Sequence, residues 1–144
     1  MKIAIKHFND LSTKELHQIL KIRSEIFVVE QDCVYLDIDD VDLESHHLIG
    51  YVEKEIAGYL RIYEKDGSVR IGRVLVAENH RRKGHASKTM EGAIDFIRTN
   101  KPSGLIKISA QEHLKSFYGS FQFEQTSDMY LEDGIPHIAM VKTF

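Results

Sequence analysis

The sequence predicts an α+β fold in α/β/α layers: a mixed, mostly antiparallel sheet of six to seven strands with helices on both faces. Three apolar, β-branched segments separated by tight turns at residues 53–56 and 65–68 predict an antiparallel meander. A helical segment then lies between two further strands, and such a crossover joins parallel neighbours. Amphipathic helices in both halves of the chain each need a sheet face to cover, which predicts the layered arrangement.

The composition predicts one globular domain, residues 1–144, in the cytoplasm. Hydrophobic residues make up 42% of the chain, which is enough for one core. The 19 basic and 22 acidic residues give a net charge of −3, which argues against a nucleic-acid partner. No uncharged apolar run approaches the roughly 18 residues that span a bilayer, so we expect no membrane partner. The single cysteine, Cys33, excludes an intramolecular disulfide and indicates a reducing compartment.

The first third of the chain is predicted to contain a strand, a long helix and a loop. The strand covers residues 3–7. Ser12 and Glu15 form a capping-box pattern, and an apolar stripe with a 3.6-residue period carries the helix from there to about Glu30. Residues 31–45 contain six acidic side chains and neither lysine nor arginine, which indicates an acidic loop.

The remaining segments complete the order β-α-β-β-β-α-β-α-β-β. An apolar stripe predicts a helix from about His85 to Asn100, which Lys101 and Pro102 end. A short helix is expected at residues 112–120. The predicted strands lie at residues 47–53, 56–64, 68–76, 105–110, 123–131 and 135–142.

The segment between the fourth strand and the second long helix carries the most chemical information. The strand ends at Val74-Leu75-Val76, and the basic turn Arg81-Arg82-Lys83-Gly84 leads into the helix that begins at His85. The start of a helix has unpaired backbone N–H groups and about half a positive charge. A glycine there lets an anion approach the backbone, so the turn predicts a pyrophosphate site. It lacks the glycine pattern of a Walker loop or a dinucleotide fingerprint.

The pattern Arg81-x-x-Gly84-x-Ala86 after this strand resembles the Arg/Gln-x-x-Gly-x-Gly/Ala signature of the GNAT superfamily of acyl-CoA-dependent N-acetyltransferases. The segment Phe117-Tyr118-x-x-Phe121-x-Phe123 is similar to the superfamily's downstream tyrosine segment. Three further segments resemble the ElaA-like branch: Arg23-Ser24-Glu25-Ile26-Phe27-Val28-Val29-Glu30-Gln31, Tyr35-x-Asp37-x-Asp39 and Tyr130-Leu131-Glu132-Asp133-Gly134-Ile135-Pro136-His137. The resemblance covers nearly the whole chain.

The resemblance implies the GNAT fold, acetyl-CoA as cosubstrate and direct acetyl transfer to an amine. Tyr118 is implied as the general acid that protonates the departing CoA thiolate. Backbone groups of the strand end are implied to line the pantetheine and to stabilise the thioester oxyanion. The residues implied for CoA binding are Val74, Leu75, Val76, Arg81, Arg82, Lys83, Gly84, His85, Ala86, Ser87 and Gln111.

Three positions depart from the family pattern. Gln111 stands where relatives often have an asparagine that contacts CoA. Gln122 stands between Phe121 and Phe123 where relatives usually have glycine, so this departure bears on the conformation of the local backbone. Ile106 stands on the fifth strand where some relatives have a glutamate that acts as general base. The base in this chain is therefore unassigned.

Other polar residues are candidates for the acceptor site. Arg23 and Glu30 lie on the apolar stripe of the first helix, where they either form ion pairs or line the acceptor pocket. His47 and His137 are candidate bases or structural histidines. The acidic loop either attracts a cationic amine or is merely solvated, and the second interpretation is favoured. No metal-binding spacing is present, so we expect no metal cofactor.

The sequence therefore predicts an acetyl-CoA-dependent N-acetyltransferase that acts on a primary amine of a small molecule or peptide. The alternative is an acyl-CoA-binding regulatory module without turnover, which the missing glutamate at Ile106 keeps open. A nucleic-acid-binding role for the basic turn is the weakest hypothesis, because no aromatic residues are interleaved with it. A homodimer is compatible with the fold.

Overall fold

The strands of the computed structural model, which describes residues 1–101 and 104–144, form one mixed sheet. Within these residues the sheet order is β1-β2-β3-β4-β5-β8-β6, with β7 paired to β8, and only β4 and β5 run parallel. The predicted α+β class, with a mixed and mostly antiparallel sheet, is thus confirmed. The strands are β1 (Lys2–His7), β2 (His46–Val52), β3 (Glu55–Lys65), β4 (Ser68–Val76), β5 (Leu105–Gln111), β6 (Glu124–Gln125), β7 (Tyr130–Glu132) and β8 (Ile135–Thr143).

The strand count in the described residues is eight rather than six or seven, because the predicted strand at residues 123–131 divides into β6 and β7. The break occurs at Ser127, whose side chain rather than its backbone binds the neighbouring strand β8. Its hydroxyl accepts a hydrogen bond from the backbone N–H of Ala139 at 3.0 Å, next to a bond from Thr126 N–H to the Ala139 carbonyl.

The helices lie near their predicted positions, except for a short one that forms inside the predicted acidic loop at residues 31–45. They are α1 (Thr13–Arg23), a π-helical continuation (Ser24–Glu30), α2 (Val41–Glu44), α3 (His85–Asn100) and α4 (Lys115–Gly119). The capping box at Ser12 and Glu15 is present, and the long first helix ends at Glu30 as expected, although its second half is π-helical. Pro102, part of the predicted stop of α3, lies outside the described residues. No helix within the described residues is long and apolar enough to cross a membrane.

Apolar side chains pack on both faces of the sheet. On one face α3 contributes Met90, Ala93 and Ile97, each fully buried against strand residues such as Leu60 and Ile106. The other face is covered by α1 and its π-helical continuation. Its cluster consists of Ile19, Ile26, Phe27, Ile49, Tyr59 and Leu75. The predicted placement of helices on both faces is therefore confirmed.

Strands β4 and β5 separate soon after they pair, and β4 carries a bulge at the same level. Their parallel pairing is confined to Val69 with Ile106 and Arg70 with Lys107. Towards β3 the register of β4 shifts by one residue in the stretch that contains Arg73, which has a φ of 52°. A bulge of this kind breaks the regular hydrogen-bond ladder and turns backbone groups out of it. The sheet therefore opens between β4 and β5.

The acidic loop is not the solvated segment that was expected. Asp37, Asp39 and Asp42 turn inward and pair with three arginines from α1, β3 and β4. We call these six residues the ionic cluster: Arg23, Arg61, Arg73, Asp37, Asp39 and Asp42. The three positive and three negative charges balance, which is what makes their burial tolerable.

Arg23 is the centre of the ionic cluster, and this corrects its expected place in an acceptor pocket. Its side chain has no exposed surface, so it cannot contact a substrate. The guanidinium donates to Asp37 Oδ2 at 2.9 Å and to Asp42 Oδ1 at 2.7 Å. Burial alone would lower the pKa of Arg23, but the neighbouring acidic groups outweigh it and raise the pKa.

His47 is likewise fully buried, which corrects its expected role at the acceptor site. Its Nε2 lies 3.0 Å from the Asp42 carbonyl, which can only accept, so Nε2 carries the proton. Nδ1 therefore accepts the hydrogen bond from the Tyr59 hydroxyl at 2.7 Å. Burial lowers the pKa of His47 below its usual value, so the folded state favours the neutral ring.

This burial predicts a pH-dependent stability. The unfolded chain binds a proton at His47 more readily than the folded chain, so the stabilisation is present above the unfolded pKa near 6.5 and is lost as the pH falls below it. We expect the free energy of unfolding to fall less from about pH 8 to about pH 5 in His47→Gln than in the wild type. Urea unfolding checks this, with the exposed His17→Gln as control. An identical pH dependence in both variants would contradict the assignment.

Candidate active site

A cavity of about 670 Å³ lies where β4 and β5 separate. Its wall includes the bulged half of β4 from Ile71 to Val76, and Ile108 and Gln111 of β5. The start of α3 and the short helix α4 contribute the rest of one side, and the π-helical continuation contributes the other. We call this space the main cavity. Its position follows from the fold, because a parallel pair that diverges leaves an unfilled wedge between its strands.

At the start of α3 the main cavity is suited to an anion. Gly84 is the N-cap residue with a φ of 79°, and no side chain caps the helix there. A Cβ atom at this glycine would meet no atom within 4 Å, so the backbone faces open space. Arg82 also has a positive φ, 61°, and lines the same end of the cavity. The exposed N–H groups and the helix dipole therefore point towards one site.

His85 provides independent support for a ligand at this end. It is the first residue of α3, it lines the main cavity and it is buried. Its Nδ1 atom is inaccessible to solvent and has no hydrogen-bond partner. A buried polar atom without a partner is costly, and a bound group that fills the space could pair with it. The residues present therefore fit a diphosphate-bearing ligand.

The structure brings most of the predicted CoA-binding residues together. The ones that line the main cavity are Val74, Leu75, Val76, Arg81, Arg82, Gly84, His85, Ala86, Ser87 and Gln111. Lys83 does not line it and is exposed to solvent. This difference arises because the turn points successive side chains in different directions.

Arg81 links two parts of the site. Its Nη2 donates to Glu30 Oε1 at 2.7 Å, and its Nε donates to the Val76 carbonyl at 3.2 Å. Glu30 ends the π-helical continuation and also lines the main cavity. The pair is about 40% exposed, so it adds little stability, but it connects the basic turn to the opposite wall.

Tyr118 lies on α4 and lines the main cavity with only 6% of its surface exposed. Its ring packs edge-to-face against Phe117 and Phe123, with centroid distances of 5.1 and 6.2 Å. Burial raises the pKa of Tyr118 to about 12, so the phenol keeps its proton at neutral pH. No group in the described residues forms a hydrogen bond with the hydroxyl, which leaves it able to donate to a ligand.

Gln122 follows α4 and adopts the conformation that its position requires. Its φ is 69°, a left-handed value that glycine reaches without strain. Gln122 therefore holds a left-handed backbone conformation that favours glycine. The carbonyl of the preceding residue, Phe121, accepts a hydrogen bond from the buried Lys142 ammonium at 2.9 Å.

His137 on β8 also lines the main cavity, in agreement with its choice as a site candidate. Its Nδ1 lies 2.7 Å from the Ile135 carbonyl, which can only accept, so Nδ1 donates this hydrogen bond. Nε2 lies 3.4 Å from a carboxylate oxygen of Glu132. The ring therefore lies between a carbonyl and a carboxylate at the wall of the cavity.

Several residues in this wall were not predicted from the sequence. Cys33, which was not among the site candidates, is buried, lines the main cavity and has its Sγ 3.5 Å from the Asp133 carbonyl. Glu132 and Ser109 also line the cavity, and their side chains form a 3.1 Å hydrogen bond. No local pattern in the sequence brings these distant loops together.

The bulge in β4 is held by the ionic cluster. Arg73 donates from Nε to Asp37 Oδ1 at 2.8 Å and from Nη2 to the Asp37 carbonyl at 3.0 Å. Its guanidinium carbon lies 5.4 Å from the centre of the Tyr35 ring. The acidic loop therefore holds the segment of β4 that lines the main cavity. The contacts of the Arg73 side chain with Asp37 stabilise the left-handed backbone conformation of Arg73.

The mixed sheet with its diverging parallel pair, covered by helices on both faces, is the fold of the GNAT acetyltransferases. The family described as an acetyltransferase (GNAT) domain matches residues 10–144. The chain therefore belongs to the GNAT acetyltransferase family.

Individual relatives confirm the ElaA-like branch. The chain is similar to the UPF0039 protein C11D3.02c of Schizosaccharomyces pombe, with 38% identity over 97% of this chain and 95% of the relative. It is 37% identical to protein ElaA of Escherichia coli over 94% of this chain and 92% of ElaA. The crystal structure of E. coli ElaA covers 99% of both chains with a TM-score of 0.94 and 35% identity. An acyl-CoA N-acyltransferase from Pseudomonas aeruginosa matches with the same coverage and TM-score and 37% identity.

Proposed function

We propose that this protein transfers an acetyl group from acetyl-CoA to a primary amine of a small molecule or peptide. The observation that carries the proposal is the main cavity itself, which runs from the uncapped start of α3 past the bulge of β4 to Tyr118 and His137. The related P. aeruginosa protein is described as an acyl-CoA N-acyltransferase, which supports the same donor and the same type of acceptor.

The residues that would hold the donor follow from the two ends of the cavity. The backbone N–H groups that follow Arg82 and Gly84 would bind the pyrophosphate, with His85 Nδ1 as an additional partner. Backbone groups of Val74, which lies at the register shift, and of Val76, beyond the end of the β4–β5 pairing, would bind the pantetheine. Acetyl-CoA supplies an activated thioester when it is bound.

The transfer forms an N–C amide bond and breaks the C–S bond of the thioester. An amine with a pKa near 10 is an ammonium ion at neutral pH, so it must first lose one proton to expose its lone pair. The attacking nitrogen loses a second proton as the amide forms, and the departing sulfur takes one. The overall reaction therefore releases one proton to solvent, and it requires both an acid and a base.

Tyr118 would act as the acid and His137 as the base. The Tyr118 hydroxyl holds its proton at neutral pH and has no protein partner among the described residues, so it can donate to the departing sulfur. His137 would take the proton on Nε2 in its neutral form, and the Glu132 carboxylate 3.4 Å away would stabilise the resulting imidazolium. A peptide N–H at the bulge that faces the thioester carbonyl would stabilise its developing negative charge.

Gly84→Val is expected to weaken acetyl-CoA binding at least about tenfold, because a branched side chain would project into the space that the pyrophosphate needs. Gly67→Val is the matched control. Gly67 has a φ of 75° and equally open surroundings, but it lies in the β3–β4 turn away from the main cavity. Calorimetric titration measures both variants. Equal donor affinity in both would show that the pyrophosphate does not bind at Gly84.

The proposed function is tested by thiol release from acetyl-CoA with and without a panel of primary amines. We expect amine-dependent release of free thiol, together with acetylated amine identified by mass spectrometry. The wild type and a heat-denatured sample provide the comparison. Saturable binding that leaves the thioester intact with every amine would contradict the transferase and favour a regulatory module that only binds acyl-CoA.

A further inference from the structure

A second pocket adjoins the main cavity, and its charges are unevenly distributed. We propose that the acceptor amine also carries an anionic group, a carboxylate or a phosphate, which Arg70 and Lys107 bind in this pocket. The proposal rests on the proposed function, because it specifies the class of amine that the same site acetylates. We call this space the basic pocket, defined by Arg61, Arg70, Lys107, Tyr63, Val34, Leu36 and the residues it shares with the main cavity.

The basic pocket reaches the reaction site through shared walls. It has a volume of about 550 Å³, and Gly72 and Arg73 at the bulge of β4 line both it and the main cavity. Ser109 of β5 and the neighbouring Glu132 are also common to both. A molecule in the basic pocket can therefore extend one end to the bulge, where the thioester is expected. Arg70 and Lys107 line only the basic pocket.

Arg70 and Lys107 are adjacent, and neither has an ion-pair partner among the described residues. They are directly paired positions of the parallel β4–β5 contact, and both side chains are half-buried. No described residue forms a salt bridge or side-chain hydrogen bond with either one. The Nε atom of Arg70 is inaccessible to solvent and has no hydrogen-bond partner. A guanidinium and an ammonium side by side repel each other unless an anion lies between them.

The other arginines of this pocket are already neutralised. Arg61 donates to Asp39 Oδ1 at 2.6 Å and to Asp42 Oδ1 at 2.9 Å, and Arg73 donates to Asp37. These contacts belong to the ionic cluster, in which three arginines face three aspartates. Arg70 and Lys107 are therefore surplus positive charges, and a carboxylate or phosphate is the ligand they would bind most strongly.

The opposite end of the basic pocket is acidic. Glu132 and Asp133 line it there, close to His137, and they are the groups that attract an ammonium ion. Lys107 and Ser109 are two residues apart on β5, which corresponds to roughly 7 Å along a strand. The acceptor would therefore place its amine about this far from its anionic group, which exceeds the separation in an α-amino acid.

Apolar side chains lie beside the path between the two ends. Val34 and Leu36 border the basic pocket with 99% and 88% of their surfaces exposed. Exposed aliphatic side chains next to a charged pocket favour a ligand with a hydrocarbon segment between its polar ends. The basic pocket thus selects an amine and an anion joined by a short apolar spacer.

The test compares six-carbon amines that differ only at the far end: aminohexanoate, aminohexyl phosphate, aminohexanol and diaminohexane. With saturating acetyl-CoA, we expect kcat/KM for at least one anionic amine to exceed that for aminohexanol at least about tenfold. Diaminohexane should be the poorest acceptor. Preference for aminohexanoate identifies a carboxylate, and preference for aminohexyl phosphate identifies a phosphate. Equal kcat/KM for anionic and neutral amines would overturn the proposal while leaving the acetyltransferase intact.

The residues are tested with the double variant Arg70→Met and Lys107→Met. Its ratio of kcat/KM between the preferred anionic amine and aminohexanol should fall to near one. The matched control, Lys54→Met, removes an exposed lysine from the β2–β3 turn and should keep the wild-type ratio. Titration with acetyl-CoA verifies that the double variant is folded. A wild-type ratio in the double variant would overturn the assignment of these two residues.

A binding measurement separates this proposal from the proposed function. The acetylated forms of aminohexanoate, aminohexyl phosphate and aminohexanol are titrated into the wild type in the presence of CoA, so no reaction is required. We expect at least one anionic amide to bind at least about tenfold more tightly than the neutral amide. Equal affinities would overturn the anion site. Failure of thiol release with every amine would instead count against the acetyltransferase.

Discussion

Tyr118→Phe is expected to lower kcat at least about 100-fold while acetyl-CoA still binds, because the phenol is proposed to donate a proton to the departing sulfur. The ring of the phenylalanine fills the same space against Phe117 and Phe123. The lost hydroxyl forms no hydrogen bond with the described residues, so the fold loses little stability. Steady-state kinetics and a calorimetric titration with acetyl-CoA measure the two effects separately.

The control for this variant is Tyr51→Phe, which removes a partly buried phenol on β2 outside the main cavity. Its kcat should equal that of the wild type. The pKa of Tyr118, raised by burial to about 12, also predicts that Tyr118 itself produces no loss of rate between pH 6 and pH 9. An unchanged kcat in Tyr118→Phe would show that water or another group protonates the sulfur.

Asp42→Ala is expected to destabilise the protein by about 3–5 kcal/mol. The Asp42 carboxylate accepts hydrogen bonds from Arg23 Nη1 at 2.7 Å and from Arg61 Nη1 at 2.9 Å, and it is only 5% exposed. Removing it leaves two buried guanidinium groups with one negative charge too few. The substitution therefore creates an uncompensated buried charge rather than a simple cavity.

The matched control is Asp40→Ala in the same loop. Asp40 is exposed, and its side chain forms no cap hydrogen bond with α2, so we expect a change within about 0.5 kcal/mol. Urea unfolding gives both values. Similar small losses in the two variants would contradict the structural role of the ionic cluster. Since the cluster also holds Arg73 at the bulge, Asp42→Ala should lower activity as well.

Local signals explain what the sequence could predict of the fold. The capping box at Ser12 and the glycine-led start of α3 depend on residues within a few positions of each other. The apolar period of α3 likewise lies within one element. These features were predicted at nearly the observed boundaries because their energetics are local.

Long-range contacts explain what the sequence could not predict. The ionic cluster joins Arg23 to Asp42 across 19 positions and Arg73 to Asp37 across 36 positions. A run of acidic residues is usually solvated, and only tertiary packing showed that three of these carboxylates turn inward. The positive φ of Arg73 has the same origin, since the side chain is held by the loop.

The same distinction between local signals and long-range contacts applies to the candidate site. The basic turn and Tyr118 were identified through short motifs, and the structure places both at the main cavity. Two other features depend on which strands become neighbours: the pair of His137 with Glu132, and the unpaired Arg70 beside Lys107. The acceptor end of the site therefore required the structure, whereas the donor end did not.

Calorimetric titration of the wild-type protein with acetyl-CoA tests the proposed donor site most directly. We expect saturable binding of one acetyl-CoA per chain with a Kd below about 1 mM, accompanied by a higher unfolding temperature. The main cavity and the uncapped start of α3 are the basis of that expectation. Absence of saturable binding and of stabilisation at millimolar acetyl-CoA would contradict the donor site and the acetyltransferase built on it.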